Sequence, residues 1–329
     1  MGPLLLDNRK RRISYLRLSV TDRCNLRCRY CMPAEGLPLF DRAEMLSHEE
    51  LLTIARTAVG LGIRKIRITG GEPLVRPDIL PLLEKMGALP HLERLVLTTN
   101  GLRLERLAAD LVRCGVSAVN ISIDSLRPHR YQEITRGGSL SACLAGIDAA
   151  VDAGLRTKLN VVLMKGINED EIFDFVELAR TRPLAVRFIE YMPTRDRHAD
   201  RHLTLPTEEL LARVAARHRL HDADAGDELA LAGPARNFRL PGFLGTVGAI
   251  SPVSCHFCRD CNRIRVTATG TARGCLFHED GLDLKPWLRD GDEVGLARAL
   301  LNVVRDKPEG HGLDTDDGPD QVPMSRLGG

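Results

Sequence analysis

Strand-like and helix-like segments alternate over the first two hundred residues, and this rhythm limits the possible folds more than any other feature. Six segments read as strands: 13–20, 65–69, 93–98, 116–124, 156–163 and 184–190. Five segments between them read as helices: 47–61, 77–88, 103–114, 139–153 and 168–181. Short connections between such repeats predict a parallel sheet, either a doubly wound open sheet or a partial TIM-like barrel. Capping signals at Ser47 with Glu50 and at Asn168 with Glu171 predict where two of the helices begin.

Polar residues recur on one side of several predicted strands, and this pattern favours the barrel. Lys65 and Arg67 alternate with isoleucines, Lys158 and Asn160 share a face, and Ser122 alternates with Ile121 and Ile123. An open sheet covered by helices on both sides would instead give nearly continuous apolar strands. We therefore predict an α/β fold with a partial TIM-like (β/α)6 barrel whose interior holds a ligand.

The rhythm changes after about residue 207, which predicts a second region of different architecture. A helix is predicted over 207–219, an acidic loop over 222–228 and an amphipathic helix over 292–306. A second cysteine cluster lies between them, within short strand candidates. The predicted domains are a barrel over 1–206 and an α+β extension over 207–329.

Composition excludes several classes of partner. The 329 residues carry 46 Lys and Arg against 44 Asp and Glu, and aromatic residues make up 4%. A net charge of +2 gives no strong field for nucleic acid or an anionic membrane. No apolar run is long enough for a transmembrane helix or follows the pattern of a secretory signal. We expect a cytoplasmic protein with no nucleic-acid or membrane partner.

Three of the nine cysteines form the first triad, Cys24-x3-Cys28-x2-Cys31, directly after the first predicted strand. Clustered cysteines in a reducing compartment indicate metal or redox chemistry. Three thiolates are one short of the four that fill a cubane cluster or a closed zinc site. The spacing therefore leaves two readings open: zinc with a distant fourth ligand, or a metal centre with an open position.

The first triad, with Tyr30 before its last cysteine, resembles the motif of the radical S-adenosylmethionine (SAM) enzymes. The resemblance implies that Cys24, Cys28 and Cys31 hold a [4Fe-4S] cluster whose open iron binds SAM. A second motif of that family follows the next strand, Thr69-Gly70-Gly71-Glu72-Pro73, and in the family this turn meets the methionyl amino group of SAM. Glycines permit such close backbone approach to a ligand.

A second triad, Cys258-x2-Cys261-x13-Cys275, resembles the C-terminal cluster site of the GTP 3′,8-cyclases, the MoaA family of molybdenum-cofactor biosynthesis. The terminal Gly328-Gly329 matches that family's Gly-Gly end, which implies a tail that reaches the active site. Cys255 departs from the family motif, and we interpret it as a bystander. The spacing alone also permits a zinc site formed by 255, 258, 261 and 275.

By resemblance to the same family, six residues match GTP-contacting positions: Arg17, Arg67, Thr98, Lys158, Arg263 and Arg265. The strand pattern adds Lys65 and Arg187, because guanidinium and ammonium groups suit phosphate oxygens. Positions that match SAM contacts are Tyr30, Gly71, Ser122 and Met192. There is no Gly-x4-Gly-Lys-Ser/Thr run, so a P-loop nucleotide site is not expected.

The resemblance implies a complete reaction. One electron from the N-terminal cluster cleaves SAM to a 5′-deoxyadenosyl radical, which takes hydrogen from C3′ of GTP. The C3′ radical attacks C8 of guanine, and one-electron reduction then gives 3′,8-cyclo-7,8-dihydro-GTP. Arg263, Arg265 and the Gly328-Gly329 tail assist, and the second [4Fe-4S] cluster holds the purine. Expected partners are a flavodoxin or ferredoxin as reductant, cyclic pyranopterin monophosphate synthase as the next enzyme, and a second copy in a homodimer. The alternatives are a peptide-modifying radical SAM maturase and a non-catalytic zinc or nucleotide-binding protein.

Overall fold

A computed structural model describes residues 5–193, 200–223, 233–255, 257–278 and 280–310. The chain divides into two compact units. Unit 1 contains the described residues of 1–99, 110–117 and 258–329. Unit 2 contains those of 100–109 and 118–257. The predicted division at residue 206 stays a prediction about domain organisation.

The first part of the chain alternates strands and helices as the sequence predicts. Its strands are β1 Tyr15–Ser19, β2 Lys65–Thr69, β3 Arg94–Thr99, β4 Val116–Ser122, β5 Arg156–Leu163 and β6 Ala185–Glu190. Its helices are α1 His48–Leu61, α2 Ile79–Gly87, α3 Leu104–Arg113, α4 Pro128–Thr135, α5 Leu140–Asp152 and α6 Ile172–Thr181. Every predicted strand is present to within a few residues at its ends.

The later part of the chain has shorter strands between its helices. The helices are α7 Thr207–Ala215, α8 Lys285–Arg289 and α9 Glu293–Arg305. The strands are β7 His221–Asp222, β8 Arg236–Arg239, β9 Thr246–Ile250, β10 Arg263–Val266, β11 Thr271–Arg273 and β12 Leu282–Asp283. No helix in the described ranges is long and apolar enough to span a membrane.

In unit 1 the strand order is β12-β11-β10-β1-β2-β3. Strands β10, β1, β2 and β3 are parallel, while β11 pairs antiparallel with β10 and β12 pairs antiparallel with β11. Strand β1 is therefore central, and all five of its residues are buried. Because it is paired on both edges and buried throughout, this strand provides a rigid base for the residues of a site at its ends.

In unit 2 the strand order is β4-β5-β6-β9-β8-β7. Strands β4, β5, β6 and β9 are parallel, and β8 and β7 add an antiparallel edge. The register aligns Asn160 on β5 with Ser122 on β4 and Arg187 on β6. The polar positions of neighbouring strands therefore share one face of this sheet.

Local signals at helix starts give one success and one error. Ser47 and Glu50 form a reciprocal capping box at the start of α1, as predicted. A 3-10 turn, Glu169–Glu171, does begin directly after Asn168 and runs into α6, but the predicted side-chain cap is wrong. The Asn168 side chain donates instead to the carbonyl oxygens of Asp124 and Val162. A buried amide that satisfies three backbone groups takes precedence over capping. Sequence reasoning also missed helix α4, a short polar helix with Pro128 at its start.

Candidate active site

The first triad lies on the loop that leaves the carboxyl end of β1. The Cys31 amide donates to the Cys28 carbonyl oxygen at 2.9 Å, and the Leu26 amide donates to Cys24 Sγ at 3.4 Å. All three side chains are half-buried, and none of the chain's nine cysteines, all within the described residues, forms a disulfide. The loop thus presents three thiols within eight residues, at the end of a buried strand.

The turn after β2 holds the start of this loop by direct backbone contact. The Gly71 amide donates to the Thr21 carbonyl oxygen and the Glu72 amide donates to the Arg23 carbonyl oxygen, both at 2.8 Å. A Cβ at Gly71 would lie 2.3 Å from the Arg23 oxygen, and a Cβ at Gly70 would lie 2.5 Å from the Thr21 oxygen. The two glycines are therefore required by the approach of the first-triad loop itself.

Glu72 is buried beneath this turn. Its Oε1 accepts hydrogen bonds from the Leu74 amide at 3.0 Å and from Thr99 Oγ1 at 2.8 Å. Burial raises the pKa of the Cys24 thiol, and the nearby Glu72 carboxylate adds to the increase. A cationic cofactor near Glu72 would favour the thiolate form of Cys24, since opposite charges stabilise one another.

The second triad lies at the opposite end of the neighbouring strand. Cys258 and Cys261 precede β10, and the Cys261 amide donates to the Cys258 carbonyl oxygen at 3.3 Å. Cys275 follows β11, whose antiparallel pairing with β10 returns the chain to the amino end of β10. Cys255 is exposed, whereas the three cysteines of the second triad are half-buried.

Cations surround the second triad and change the acidity of one thiol. Burial alone would raise the pKa of Cys261, but the charges of Arg263 and Lys307 lower it to about 6. The site therefore favours a thiolate, which is the form that binds iron. Cys261 is ready to act as a ligand without a large cost of deprotonation.

A row of cations lies between the two triads on one face of the unit 1 sheet. The register pairs Arg17 on β1 with Arg265 on β10 and with Arg67 on β2. Two residues earlier on each strand, Tyr15 aligns in the same way with Arg263 on β10 and with Lys65 on β2. Since paired residues point to the same side of a parallel sheet, five cations share this face. Strand β1, about 13 Å long at roughly 3.3 Å per residue, separates the ends that carry the two triads.

Burial and mutual repulsion make this row unfavourable without an anion. Burial, with the charge of Arg265, lowers the pKa of Arg17 well below its ordinary value. Burial, with the charge of Arg263, lowers the pKa of Arg265 to about 10. Buried like charges are stable only when a counter-charge is present. The face is therefore suited to a polyanion such as a triphosphate.

Two buried polar atoms on the same face would suit a ligand that accepts or donates hydrogen bonds. Arg265 Nη1 and Thr98 Oγ1 have no hydrogen-bond partner among the described residues. Val96 on β3 aligns with Arg67 on β2. Thr98 lies two residues after Val96, so it is on the same face of the sheet as the cations. A buried donor without a partner costs about 1–3 kcal/mol, so a ligand that accepts these hydrogen bonds would be favoured.

Sequence reasoning missed two residues of this face. Tyr15 lies under Lys65 Nζ at 4.5 Å and under Arg67 Cζ at 5.4 Å from its ring centroid. Arg273 on β11 pairs with Arg265 and extends the cation row. The alternation that revealed Arg17 could have found Tyr15, two residues earlier on the same strand. Arg273 could be found only once β11 was known to pair with β10.

Unit 2 carries its own polar face. Asn120 aligns with Lys158, and Ser122 aligns with Asn160 and through it with Arg187. Asn160 Oδ1 is buried and has no hydrogen-bond partner within the described residues. Met192, half-buried, follows the end of β6. The Gly328-Gly329 tail lies outside the described residues.

The donor set of each triad fits an iron–sulfur cluster by its chemistry. Iron–sulfur clusters are held by cysteine thiolates, and three of them leave one iron of a four-iron cluster open. Among the described residues, no group of three His, Cys, Asp or Glu side chains is arranged to hold a single metal ion. A four-iron cluster binds each thiolate at a different iron, so its ligands do not converge on one point.

Comparison with known proteins decides the family. The sequence matches the Radical SAM superfamily over residues 18–179 and Molybdenum Cofactor Synthesis C over residues 184–313. It is 51% identical to a GTP 3′,8-cyclase of Geobacter sulfurreducens over 99% of both chains. The chain belongs to the GTP 3′,8-cyclase family of radical SAM enzymes. A GTP 3′,8-cyclase of Moorella thermoacetica is 46% identical, over 98% of this chain and 99% of its own.

Solved structures show the fold of this GTP 3′,8-cyclase family member. SuiB of Streptococcus suis, crystallised with S-adenosylmethionine, matches with a TM-score of 0.64 over 94% of this chain and 68% of its own. The anSMEcpe structure with bound AdoMet matches with a TM-score of 0.58 over 95% of this chain and 88% of its own. Both are 14% identical and show fold alone. The predicted radical SAM fold with a C-terminal extension is confirmed, and the family uses SAM and a [4Fe-4S] cluster.

Proposed function

We propose that the chain cyclises GTP to (8S)-3′,8-cyclo-7,8-dihydroguanosine 5′-triphosphate, the first step of molybdenum cofactor biosynthesis. Full-length similarity to GTP 3′,8-cyclases supports this activity. The observation that carries it is the buried cation row between two three-cysteine sites at opposite ends of β1 and β10. A molecule with a purine at one end and a triphosphate at the other matches that arrangement.

The two triads receive different roles in this proposal. Cys24, Cys28 and Cys31 hold the [4Fe-4S] cluster that binds SAM. Cys258, Cys261 and Cys275 hold a second [4Fe-4S] cluster, which binds the purine. The acidic thiol of Cys261 supports the second assignment. We leave Cys255 outside the ligand set, and its exposed position is consistent with that choice.

The SAM site is proposed around the turn that clamps the first-triad loop. By family resemblance its contacts are Tyr30, Gly70, Gly71, Glu72, Ser122 and Met192. Glu72 contributes negative charge near the methionyl ammonium, because its carboxylate is buried and held by Leu74 and Thr99. The glycines bring the turn and the cysteine loop together, so that SAM and the cluster meet in a fixed geometry.

The GTP site is proposed on the polar strand faces. The residues assigned to GTP are Arg17, Lys65, Arg67, Thr98, Lys158, Arg187, Arg263 and Arg265. Arg265 Nη1 and Thr98 Oγ1 are buried and ready to donate to phosphate or ribose oxygens. Charge-assisted hydrogen bonds of this kind are about twice as strong as neutral ones.

The chain's own residues orient the reaction and exclude water from it. When bound, SAM and the first cluster supply the radical that takes hydrogen from C3′ of GTP. The cation row fixes the triphosphate, so that the ribose presents C3′ and no other carbon. Arg263 and Arg265, next to the second triad, stabilise charge that develops on the purine. The Gly328-Gly329 tail is assigned a role in the GTP step.

Partners and location follow from the same proposal. A flavodoxin or ferredoxin supplies the electron, and cyclic pyranopterin monophosphate synthase consumes the product. The absence of disulfides among the nine cysteines is consistent with a reducing cytoplasm. A homodimer stays a prediction.

The experiment is one anaerobic turnover with SAM, a strong reductant and GTP deuterated at C3′. Transfer of deuterium to 5′-deoxyadenosine, together with a cyclised isomer of GTP, is the expected result. Unlabelled 5′-deoxyadenosine with unchanged GTP would leave the radical SAM assignment in place and remove GTP as substrate. That outcome would favour the peptide-maturase alternative, while colourless protein without iron would favour the zinc alternative.

A further inference from the structure

Lys307 is a buried lysine just beyond helix α9, and the reaction outlined above does not use it. Its side chain is 3% exposed. Its ammonium donates to the carbonyl oxygen of Arg263 at 2.9 Å and to that of Gly274. Burial raises the pKa of the Cys261 thiol, and the charges of Arg263 and Lys307 together lower it. The ammonium of Lys307 therefore binds both chain segments that carry the second triad and acts on one of its thiols.

The ammonium of Lys307 is bound by carbonyl oxygens, and among the described residues none of its hydrogen bonds goes to a carboxylate. Burial lowers the pKa of Lys307, while Cys261 and Cys275 act in the opposite direction. A buried ammonium is strongly unfavourable unless an anion accompanies it. The thiolate charge of cysteines that bind a cluster would balance this ammonium.

Arg11 connects Lys307 to the remaining cysteine of the second triad. Its guanidinium donates to the Cys258 carbonyl oxygen at 2.8 Å and to the Lys307 carbonyl oxygen at 3.2 Å. Asp7 holds the guanidinium in place through its carboxylate, 2.5 Å from Arg11 Nε. Both side chains of this ion pair are at most 7% exposed. Arg11 thus binds the carbonyl group of Cys258, and Lys307 binds the carbonyl groups of Arg263 and Gly274, which lie next to Cys261 and Cys275 in the chain.

Close packing fixes the end of α9 against the triad. A Cβ at Gly274 would lie 3.2 Å from Lys307 Cα and 3.3 Å from the Val303 carbonyl oxygen. The chain beside Cys275 therefore has little room to move away from Lys307. The lysine is therefore held beside the chain segment that carries Cys275.

We propose that Lys307 is a positioning residue of the second triad, which orders its three cysteines before iron binds and raises the reduction potential of the cluster they hold. Hydrogen bonds and positive charge at the sulfurs of a cluster favour its more negative, reduced state. The inference rests on the proposed second cluster. Arg263 and Arg265 face the substrate side, whereas Lys307 acts through the ligands.

The test isolates the second triad in a parent variant that lacks the first. The parent carries three substitutions: Cys24→Ala, Cys28→Ala and Cys31→Ala. After anaerobic reconstitution, iron and sulfide per chain and the reduction potential of the cluster are measured without SAM or GTP. Lys307→Met in this parent keeps the length of the side chain and removes its charge and hydrogen bonds. We expect iron content to fall at least two-fold and the potential of the remaining cluster to decrease.

Two further variants keep the result interpretable. Lys285→Met is the matched control, because Lys285 lies in the same unit and is partly buried beside Asp283 at 3.7 Å. It should leave iron and potential unchanged. Lys307→Gln keeps two donors without charge, so it decides the matter if Lys307→Met fails to fold. We expect Lys307→Gln to retain iron with a decreased potential, and Lys307→Arg to restore the potential.

Each outcome bears on a different statement. The role of Lys307 would be overturned if Lys307→Met bound full iron at an unchanged reduction potential. It would also be overturned if a folded Lys307→Gln kept an unchanged reduction potential. Either result would leave the second cluster in place. An equal loss of iron in Lys285→Met would overturn the role of Lys307 in the same way. A parent that binds no iron at all would overturn the second cluster itself, and the role of Lys307 with it.

Discussion

Gly71→Ala tests whether the turn after β2 positions the first triad by backbone contact. The new methyl group would lie 2.3 Å from the Arg23 carbonyl oxygen, where ordinary contact begins near 3.4 Å. The first-triad loop must therefore move by about 1 Å, since a backbone oxygen cannot rotate away as a side chain can. That movement breaks two hydrogen bonds, Gly71 to Thr21 and Glu72 to Arg23. At about 1 kcal/mol each, plus an overpacking cost of about 1–3 kcal/mol, the local loss is roughly 3–5 kcal/mol.

The assay separates loss of the loop from loss of the fold. Gly60→Ala is the control, because a Cβ there meets nothing within 4 Å on helix α1, and alanine should stabilise the helix slightly. In a second parent with the second triad replaced by alanine, iron per chain and SAM-dependent 5′-deoxyadenosine are measured beside urea unfolding. We expect Gly71→Ala to lose most iron and SAM cleavage while still unfolding cooperatively. Equal iron and equal SAM cleavage in Gly71→Ala and Gly60→Ala would refute the clamp.

Three other substitutions have outcomes fixed by single contacts. Arg265→Ala should weaken GTP binding by roughly 10- to 100-fold without loss of iron, since a charge-assisted hydrogen bond contributes about 1.5–3 kcal/mol. Equilibrium dialysis with labelled GTP measures the affinity, and Arg298→Ala, at an exposed position, is the control. Asn168→Ala should lower the free energy of unfolding, measured by urea titration, by about 3 kcal/mol or more, because the Met164 amide and two carbonyl groups lose their buried partner. A loss below about 1 kcal/mol would contradict this. Burial alone would raise the pKa of Glu190, but hydrogen bonds from Ser254 and Thr207 hold it below its ordinary value. The Glu190 carboxylate therefore stabilises the fold above its unfolded-state pKa, and this stabilisation is lost as the pH falls through its folded-state pKa. The difference in free energy of unfolding between wild type and Glu190→Gln, measured by urea titration, should shrink from pH 6 towards pH 3.

Periodicity was sufficient to predict the elements that carry the site. Alternation of two residues placed Lys65 and Arg67 on one face of β2, and the register shows them side by side with β1 residues. The same reasoning gave the parallel repeats, because strand and helix periods differ and turns between them are short. Short polar helix α4 has no apolar stripe of useful length, so its sequence resembles a loop.

The remaining parts of the site depend on contacts that no local pattern records. Gly70 and Gly71 suggested close approach to a ligand, yet the structure shows that backbone from a different loop fills the space beside them. Lys307 continues the buried stripe of α9, which includes Leu296, Leu300 and Val304, by one more turn. A lysine in an apolar stripe is the one signal that could have revealed it. Its partners are more than thirty residues away in sequence, so their identity required the fold.

The register between β1 and β10 connects the chain segments that carry the two triads. Arg17 aligns with Arg265, so one face of two adjacent strands carries cations from the first-triad end to the second-triad end. A slip of one residue would turn every one of these side chains on β10 to the other face. The register is held by the Ser14 and Tyr15 amides, which both donate to the Asn262 carbonyl oxygen at 3.2 Å. Asn262 directly follows Cys261, so the residue that secures the cation row also fixes the start of the second triad. Strand pairing, rather than any single side chain, thereby aligns the cations of β10 with those of β1.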